Sequence, residues 1–209
     1  MTDSAGNDRA PRDREAPLPS GRPRAWTRSH DVQFYDAEDF LCASVADFLV
    51  EGVRAGQPIV VIATAAHRRQ FADAMRGRGV EVGLLVEGRD AIWLDAHETL
   101  ASFMQGPLPD AELFHATVGA LFERIQRNRR YVVVRAFGEM VDVLWRQGNV
   151  NAAIAVESLW SEVAASYSFS LLCGYSMASH MTRDNASAFK RICAAHGHVL
   201  ASDSALHNG

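Results

Sequence analysis

Arg135 and Glu139 are the side chains whose types and spacing most invite chemistry in this sequence. Arg135 falls late in Tyr131–Phe137 (YVVVRAF), an apolar run that reads as a buried strand, and Gly138 permits a tight turn before Glu139. A charge in such a strand costs on the order of several kcal/mol unless it is paired. The pair is therefore either a buried ion pair fixing strand to helix or a ligand-facing group at the strand's carboxyl end. Glu157, on a later helical stretch, offers a second acid partner. His67 lies near the start of a helix capped by Thr64, where an anion could be held, though a solvated histidine fits as well. His30 and His97 carry the same two readings. Trp145 and Trp160 sit on apolar helix faces and read as core.

Other motifs fail on context. Gly77-Arg-Gly79 with Gly83 follows a helix and precedes a strand, the reverse of a dinucleotide fingerprint. A phosphate loop needs a lysine followed by Ser or Thr, and the only lysine, Lys190, is followed by Arg191. Gly174-Tyr175-Ser176-Met177-Ala178 resembles a nucleophile elbow, but only Asp184, His196 and His198 in a short remainder could complete a triad. Cys193, His196 and His198 form C-x-x-H-x-H, which offers two zinc ligands on one helix face where a structural site wants four.

The elements that must position these residues follow from periodicity. Val32–Tyr35 is a strand with Asp36 as N-cap of a helix over residues 37–54, whose apolar positions Phe40, Leu41, Val45, Phe48, Leu49 and Val53 share a face. Pro58–Ala63 (PIVVIA) is an apolar strand of the kind buried on both faces. A helix runs to about Arg76, with a weak strand at Val80–Val82 and a firmer one at Ala91–Leu94 closed by Asp95. Helices over residues 96–104 and 110–128, strand Tyr131–Phe137, helices over 139–146 and 151–166, strand Phe169–Cys173 and a helix over 184–196 complete the pattern. Strands alternating with helices predict an α/β fold with a mostly parallel sheet and flanking helices. Ligands in such sheets sit beyond the carboxyl ends of the strands, near Tyr35–Asp36, Ala63–Thr64, Asp95, Arg135–Glu139 and Cys173–Tyr175.

Composition bounds the class. The chain has 209 residues, 48% of them hydrophobic, which suits one globular domain over residues 29–200. Residues 1–28 are too polar and Pro/Arg-rich to offset their ordering entropy and are expected to be disordered; residues 201–209 form a polar tail. The net charge of −4 gives no electrostatic case for nucleic acid. Three scattered cysteines suit a reducing cytoplasm, and no apolar run approaches membrane-spanning length.

Several segments recur together: His30-Asp-Val-Gln-Phe-Tyr35, Phe48-Leu-Val-Glu-Gly52, Pro58-Ile-Val-Val-Ile-Ala-Thr64 with His67, Leu94-Asp-Ala96 with Glu98, and Arg135-Ala-Phe-Gly-Glu-Met140. Leu144-Trp145, Gly148-Asn149, Glu157-Ser-Leu-Trp160 and Phe169–Tyr175 follow in order. This ordered set, from about His30 to Leu200, resembles the MEDS domain, a bacterial and archaeal sensory module. The resemblance implies a RecA-like core without a functional phosphate loop. Tyr35-Asp36-Ala37-Glu38 stands where that loop would be, Ala63–Ala66 lack catalytic glutamates, and Arg135 stands where a magnesium-binding acid would end its strand. It further implies a signalling role without catalysis, in which small hydrocarbon derivatives are sensed.

The expectation is a stand-alone sensory domain that binds an unknown small molecule and signals to a separate protein, such as a histidine kinase or transcription regulator. Tyr35, His67, Arg135 and Glu139 are the expected ligand-binding residues, with His30, Asp95, Glu157 and Tyr175 in support and no cofactor or metal. The alternative is a protein-interaction regulator, of a kinase or sigma-factor pathway, that has no metabolite ligand. Exposed Trp26, Phe34 or Met181 would favour it.

Overall fold

The computed structural model describes residues 28–127, 129, 132–177 and 186–201. Residues 1–27 and 202–209, and with them most of the two expected tails, lie outside the described residues, as do Tyr131, Ala178, Met181 and Asp184.

The elements run β1 Ser29–Tyr35, α1 Glu38–Arg54, β2 Ile59–Ala63, α2 Ala65–Arg76, α3 Val82–Glu87, β3 Ala91–Asp95 and α4 Ala96–Ala101. After the hairpin β4 Met104–Gln105 and β5 Leu108–Pro109 come α5 Ala111–Gln126, β6 Val134–Gly138, α6 Met140–Arg146, α7 Val150–Ser166, β7 Phe169–Ser176, α8 Ala186–Ala195 and β8 His198–Ala201. Six strands form one sheet in the order β3-β2-β6-β7-β1-β8, and every pairing in it is parallel. The α/β class is as the sequence pattern predicts. Among the described residues, no helix is long and apolar enough to cross a membrane.

Strand periodicity splits the interior into two cores. Val32, Phe34, Val60, Ile62, Leu171, Cys173 and Tyr175 face α4 to α8, and Trp145 and Trp160 are buried in that core. Tyr35, Ile59, Val61, Phe137 and Leu172 face α1 and α2, with α3 at the margin. Buried on both faces, β2 has all five residues inside, which is why it reads as an unbroken apolar run.

Several expectations are corrected. Asp36 does not cap α1; Ala37 holds that position and makes no side-chain cap bond. Val80–Val82 is not a strand, because Val82 and Leu85, three apart, pack one face of the short α3 on the second core. The helix expected to reach Met104 stops at Ala101, and the glycine–proline segment behind it folds into the small hairpin. β6 starts three residues later than the apolar run, since Val134 N–H bonds Ser168 O and Arg135 N–H bonds Pro58 O. Its register is thus set by where its neighbours begin. β8 pairs with β1 along Asp31–Phe34 where no strand was expected. It is a half-exposed edge strand, with no alternation to betray it.

The described helices after β1 and β2 lie on one face of the sheet, and those after β3, β6 and β7 lie on the other. Neighbouring strands β3/β2, β2/β6 and β7/β1 therefore part company at their carboxyl ends. Crevices open at such points in parallel sheets.

Candidate functional site

A buried polar network occupies those carboxyl ends. Glu139, directly after β6, reaches across to β2: its Oε1 accepts from Thr64 N–H at 2.5 Å and its Oε2 bonds His67 Nδ1. The other ring nitrogen of His67 bonds Glu38, in the first turn of α1. Phe71 stacks on the imidazole at 5.4 Å between centroids, and Tyr35 meets it edge-on at 6.4 Å. Thr64 caps α2 by accepting from His67 N–H, which fixes the backbone that carries the imidazole. One histidine thus ties together the starts of two helices and the end of β6.

Burial opposes protonation of His67, but the hydrogen bond and charge of Glu139, followed by those of Glu38, outweigh it and push its pKa up to about 9. The ring is an imidazolium at neutral pH, with both N–H groups committed to carboxylates. A second chain of contacts adjoins it. Arg146 pairs with Asp142 and donates to Tyr35 Oη at 3.5 Å, while Asp142 accepts from Ser176 N–H at 3.0 Å. Burial and then the Asp142 charge drive the Tyr35 phenol far above its ordinary range, so it stays neutral. Tyr35, His67 and Glu139 are buried, but Glu38 is 53% exposed and Arg146 39% exposed. Solvent meets the network through these two side chains.

Of the four expected ligand residues, Tyr35, His67 and Glu139 come together and Arg135 does not. Because β6 begins at Val134, Arg135 lies near its amino end, about 13 Å along the strand from Glu139. Its guanidinium donates to Gln57 Oε1 at 2.8 Å, approaches Glu51 at 3.5 Å and stacks over Phe48. There it borders a polar cleft of about 590 Å³ that Asp31, Gln33, Asp47 and Ser170 also line. The expected Arg135–Glu139 pair is therefore not formed. The shift also moves the strand-end acid position from Arg135 to Glu139, so the argument from a residue of the wrong sign no longer holds at that site. Only Asp36 and Ala37 separate β1 from α1.

Glu157, His30 and Tyr175 meet elsewhere, between β1, β7, α7 and the turn after α8. Glu157 Oε2 lies 3.1 Å from His30 Nε2 and 3.4 Å from His196 Nε2, with Cys173 Sγ at 3.7 Å; Tyr175 Oη donates to Oε1 at 2.7 Å. Glu157 is thus no partner of Arg135. Burial opposes its ionisation, yet the hydrogen bonds and charges of His196 and His30 hold its carboxyl down to about 2. The C-x-x-H-x-H grouping divides: His196 turns to Glu157, and His198 turns to Asp31 at 2.7 Å. Cys193 remains a free thiol.

Asp95 caps α4, accepting from His97 and Glu98 N–H at 2.9 and 3.3 Å, and pairs with Arg68. Phe34 is buried, so it is no exposed anchor; Trp26 and Met181 lie outside the described residues. Glu38, Asp142 and Arg146 were not anticipated. Two signals were available: Glu38 opens the helix after β1, and Asp142 with Arg146 is an i,i+4 pair on the helix after β6.

A search of curated proteins finds no match. A family model described as the MEthanogen/methylotroph, DcmR Sensory domain matches residues 29–196, which span β1 through the turn after α8 and include both buried polar clusters. The chain belongs to the MEDS family of sensory domains.

Proposed function

We propose that this chain binds a small polar molecule at the carboxyl ends of β1, β2 and β6 and passes its occupancy to a separate signalling protein, without catalysis. The observation that carries this reading is His67 held between Glu139 and Glu38. The first turn of α1 has no side-chain cap, and alongside buried Leu41 the Glu38–His67 contact fastens it to the sheet. A ligand that takes over either partner of that contact releases or retightens the start of α1. Signalling then requires only that it bind one of the two states better. Both nitrogens of His67 are engaged with carboxylates, which suits holding a contact rather than shuttling protons. A RecA-like core that has lost its phosphate loop is supported by the two-residue, glycine-free β1–α1 junction.

The full chain is to be screened by thermal shift against short-chain alcohols, amines and carboxylic acids. A true ligand at about 100 times its Kd adds about 2.7 kcal/mol of stability. Glu38→Gln, at an exposed position, should reduce that gain. If no compound shifts the wild type, and gentle native mass spectrometry from its own host finds a bare chain, the reading fails. A bare chain arriving with a second protein points to the regulator reading. Leu84 and Val86, both exposed on α3, and the cleft of about 510 Å³ lined by Arg89, Arg124, Arg127 and Arg129 favour that alternative.

A further inference from the structure

We propose that His30, Glu157, Cys173 and His196 form a closed four-ligand site for a divalent cation of the zinc class. The four donor atoms, two imidazole nitrogens, a carboxylate oxygen and a thiol sulfur, all lie within 4.8 Å of one another. Tetrahedral zinc with bonds of about 2.0–2.3 Å sets its donors about 3.3–3.8 Å apart. The separations here are 3.1 Å for His30–Glu157, 3.4 Å for His196–Glu157, 3.5 Å for Cys173–His30 and 3.7 Å for Cys173–Glu157. One cation at the centre satisfies the donor set without rearranging the backbone.

The surroundings are those of a metal site. His196 Nδ1 lies 2.7 Å from the Ile192 carbonyl, which can only accept; Nδ1 therefore carries a proton, and Nε2 of the neutral ring is left as a ligand. That Nε2 is fully buried and has only a long, poorly aligned contact of 3.4 Å with Glu157 Oε2, an arrangement that a metal bond shared by the two atoms accounts for. Tyr175 Oη holds one carboxylate oxygen of Glu157, which leaves the other for the centre. Gly197 N–H bonds the His30 carbonyl at 2.7 Å, so the turn carrying His196 is pinned against the strand carrying His30.

Charge balance points the same way. On binding, Cys173 releases its thiol proton to solvent and any imidazolium releases its own. A dication with one carboxylate, one thiolate and two neutral imidazoles then has no net charge, as a buried site requires. His30, 12% exposed, is the most accessible of the four, and a cleft of about 160 Å³ lined by Arg28, Ser29, Tyr167 and Phe169 reaches it. The mixed nitrogen, sulfur and oxygen set suits zinc rather than magnesium or calcium. With all four positions filled by protein the site is structural, and it fastens the α8–β8 segment to β1, β7 and α7.

The test uses the full chain, stripped with a chelator and titrated with cobalt(II), then with zinc(II). One equivalent of cobalt should give the intense visible bands of a tetrahedral centre together with a thiolate charge-transfer band. Zinc should abolish both and raise the Tm. Cys173→Ser should lose the charge-transfer band. His30→Gln, at the most exposed ligand, should keep the fold, shown by circular dichroism, and weaken binding more than the roughly 10- to 100-fold that an outer-shell change costs. The proposal is overturned if folded wild type shows no saturable one-equivalent binding, or if cobalt gives only weak octahedral bands. It is equally overturned if Cys173→Ser keeps the wild-type spectrum or His30→Gln binds as tightly as wild type. Should Cys173→Ser fail to fold, His30→Gln decides.

Discussion

Replacing His67 with glutamine removes the one titrating group in the carboxyl-end network whose charge two carboxylates hold in place. In the unfolded chain its imidazole titrates near 6.5; in the folded chain it titrates at about 9, so folding favours the protonated form. A raised folded pKa means that the stabilisation is complete below about 6.5 and is lost as pH rises through about 9. At about 1.4 kcal/mol per pH unit, that difference corresponds to about 3 kcal/mol. Urea unfolding of wild type and His67→Gln at about pH 6 and about pH 10 isolates it, because other groups titrating in this window cancel between the two proteins. The wild-type advantage should be larger at the lower pH by about 3 kcal/mol. If the two proteins show the same pH dependence, His67 is not held as an imidazolium by Glu139 and Glu38, and the network reasoning is wrong.

Two further outcomes follow from single contacts. At Gly52 in α1, an added Cβ would land on Arg135 Cγ, with Arg135 Cβ and Cδ both at 3.2 Å. Gly52→Ala gains about 1 kcal/mol of helix propensity but loses more by overpacking and by dislodging Arg135 from Gln57, for a net cost of about 2 kcal/mol in chemical denaturation. In an Arg135→Ala background the same substitution should become neutral or stabilising; a cost unchanged by that background would refute the clash. Asp95→Ala removes the α4 cap and the Arg68 partner and should cost about 1–2 kcal/mol near neutral pH. Burial works against ionisation of Asp95, but the backbone bonds from Glu98 and His97 and the Arg68 side chain hold its pKa below 3.8. Its contribution is therefore present above that value and lost as the pH falls below it, so the gap between wild type and variant should close in acid.

The sequence by itself determined the class of the fold and several anchors within it. The run Ile59–Ala63 had to be buried on both faces because none of its side chains is polar, and Thr64 is a cap whose hydroxyl oxygen has a backbone donor three residues on. These are local matters, settled by neighbours in the chain. Tyr35, His67 and Glu139 were legible as a group because a parallel sheet places every strand's carboxyl end on one edge. Only the tertiary structure decided the rest. Arg135 and Glu139 are close in sequence but sit at opposite ends of β6, because the register against Pro58 and Ser168 chose where that strand begins. β8 exists because β1 has an edge to pair with, which no window of its own residues reveals. His30, Glu157, Cys173 and His196 come from two strands, a helix and a turn, and share no spacing that a sequence could display. Their convergence depends on the packing of α7 and α8 over the β1–β7 pair, a long-range outcome of burying the apolar faces of those helices.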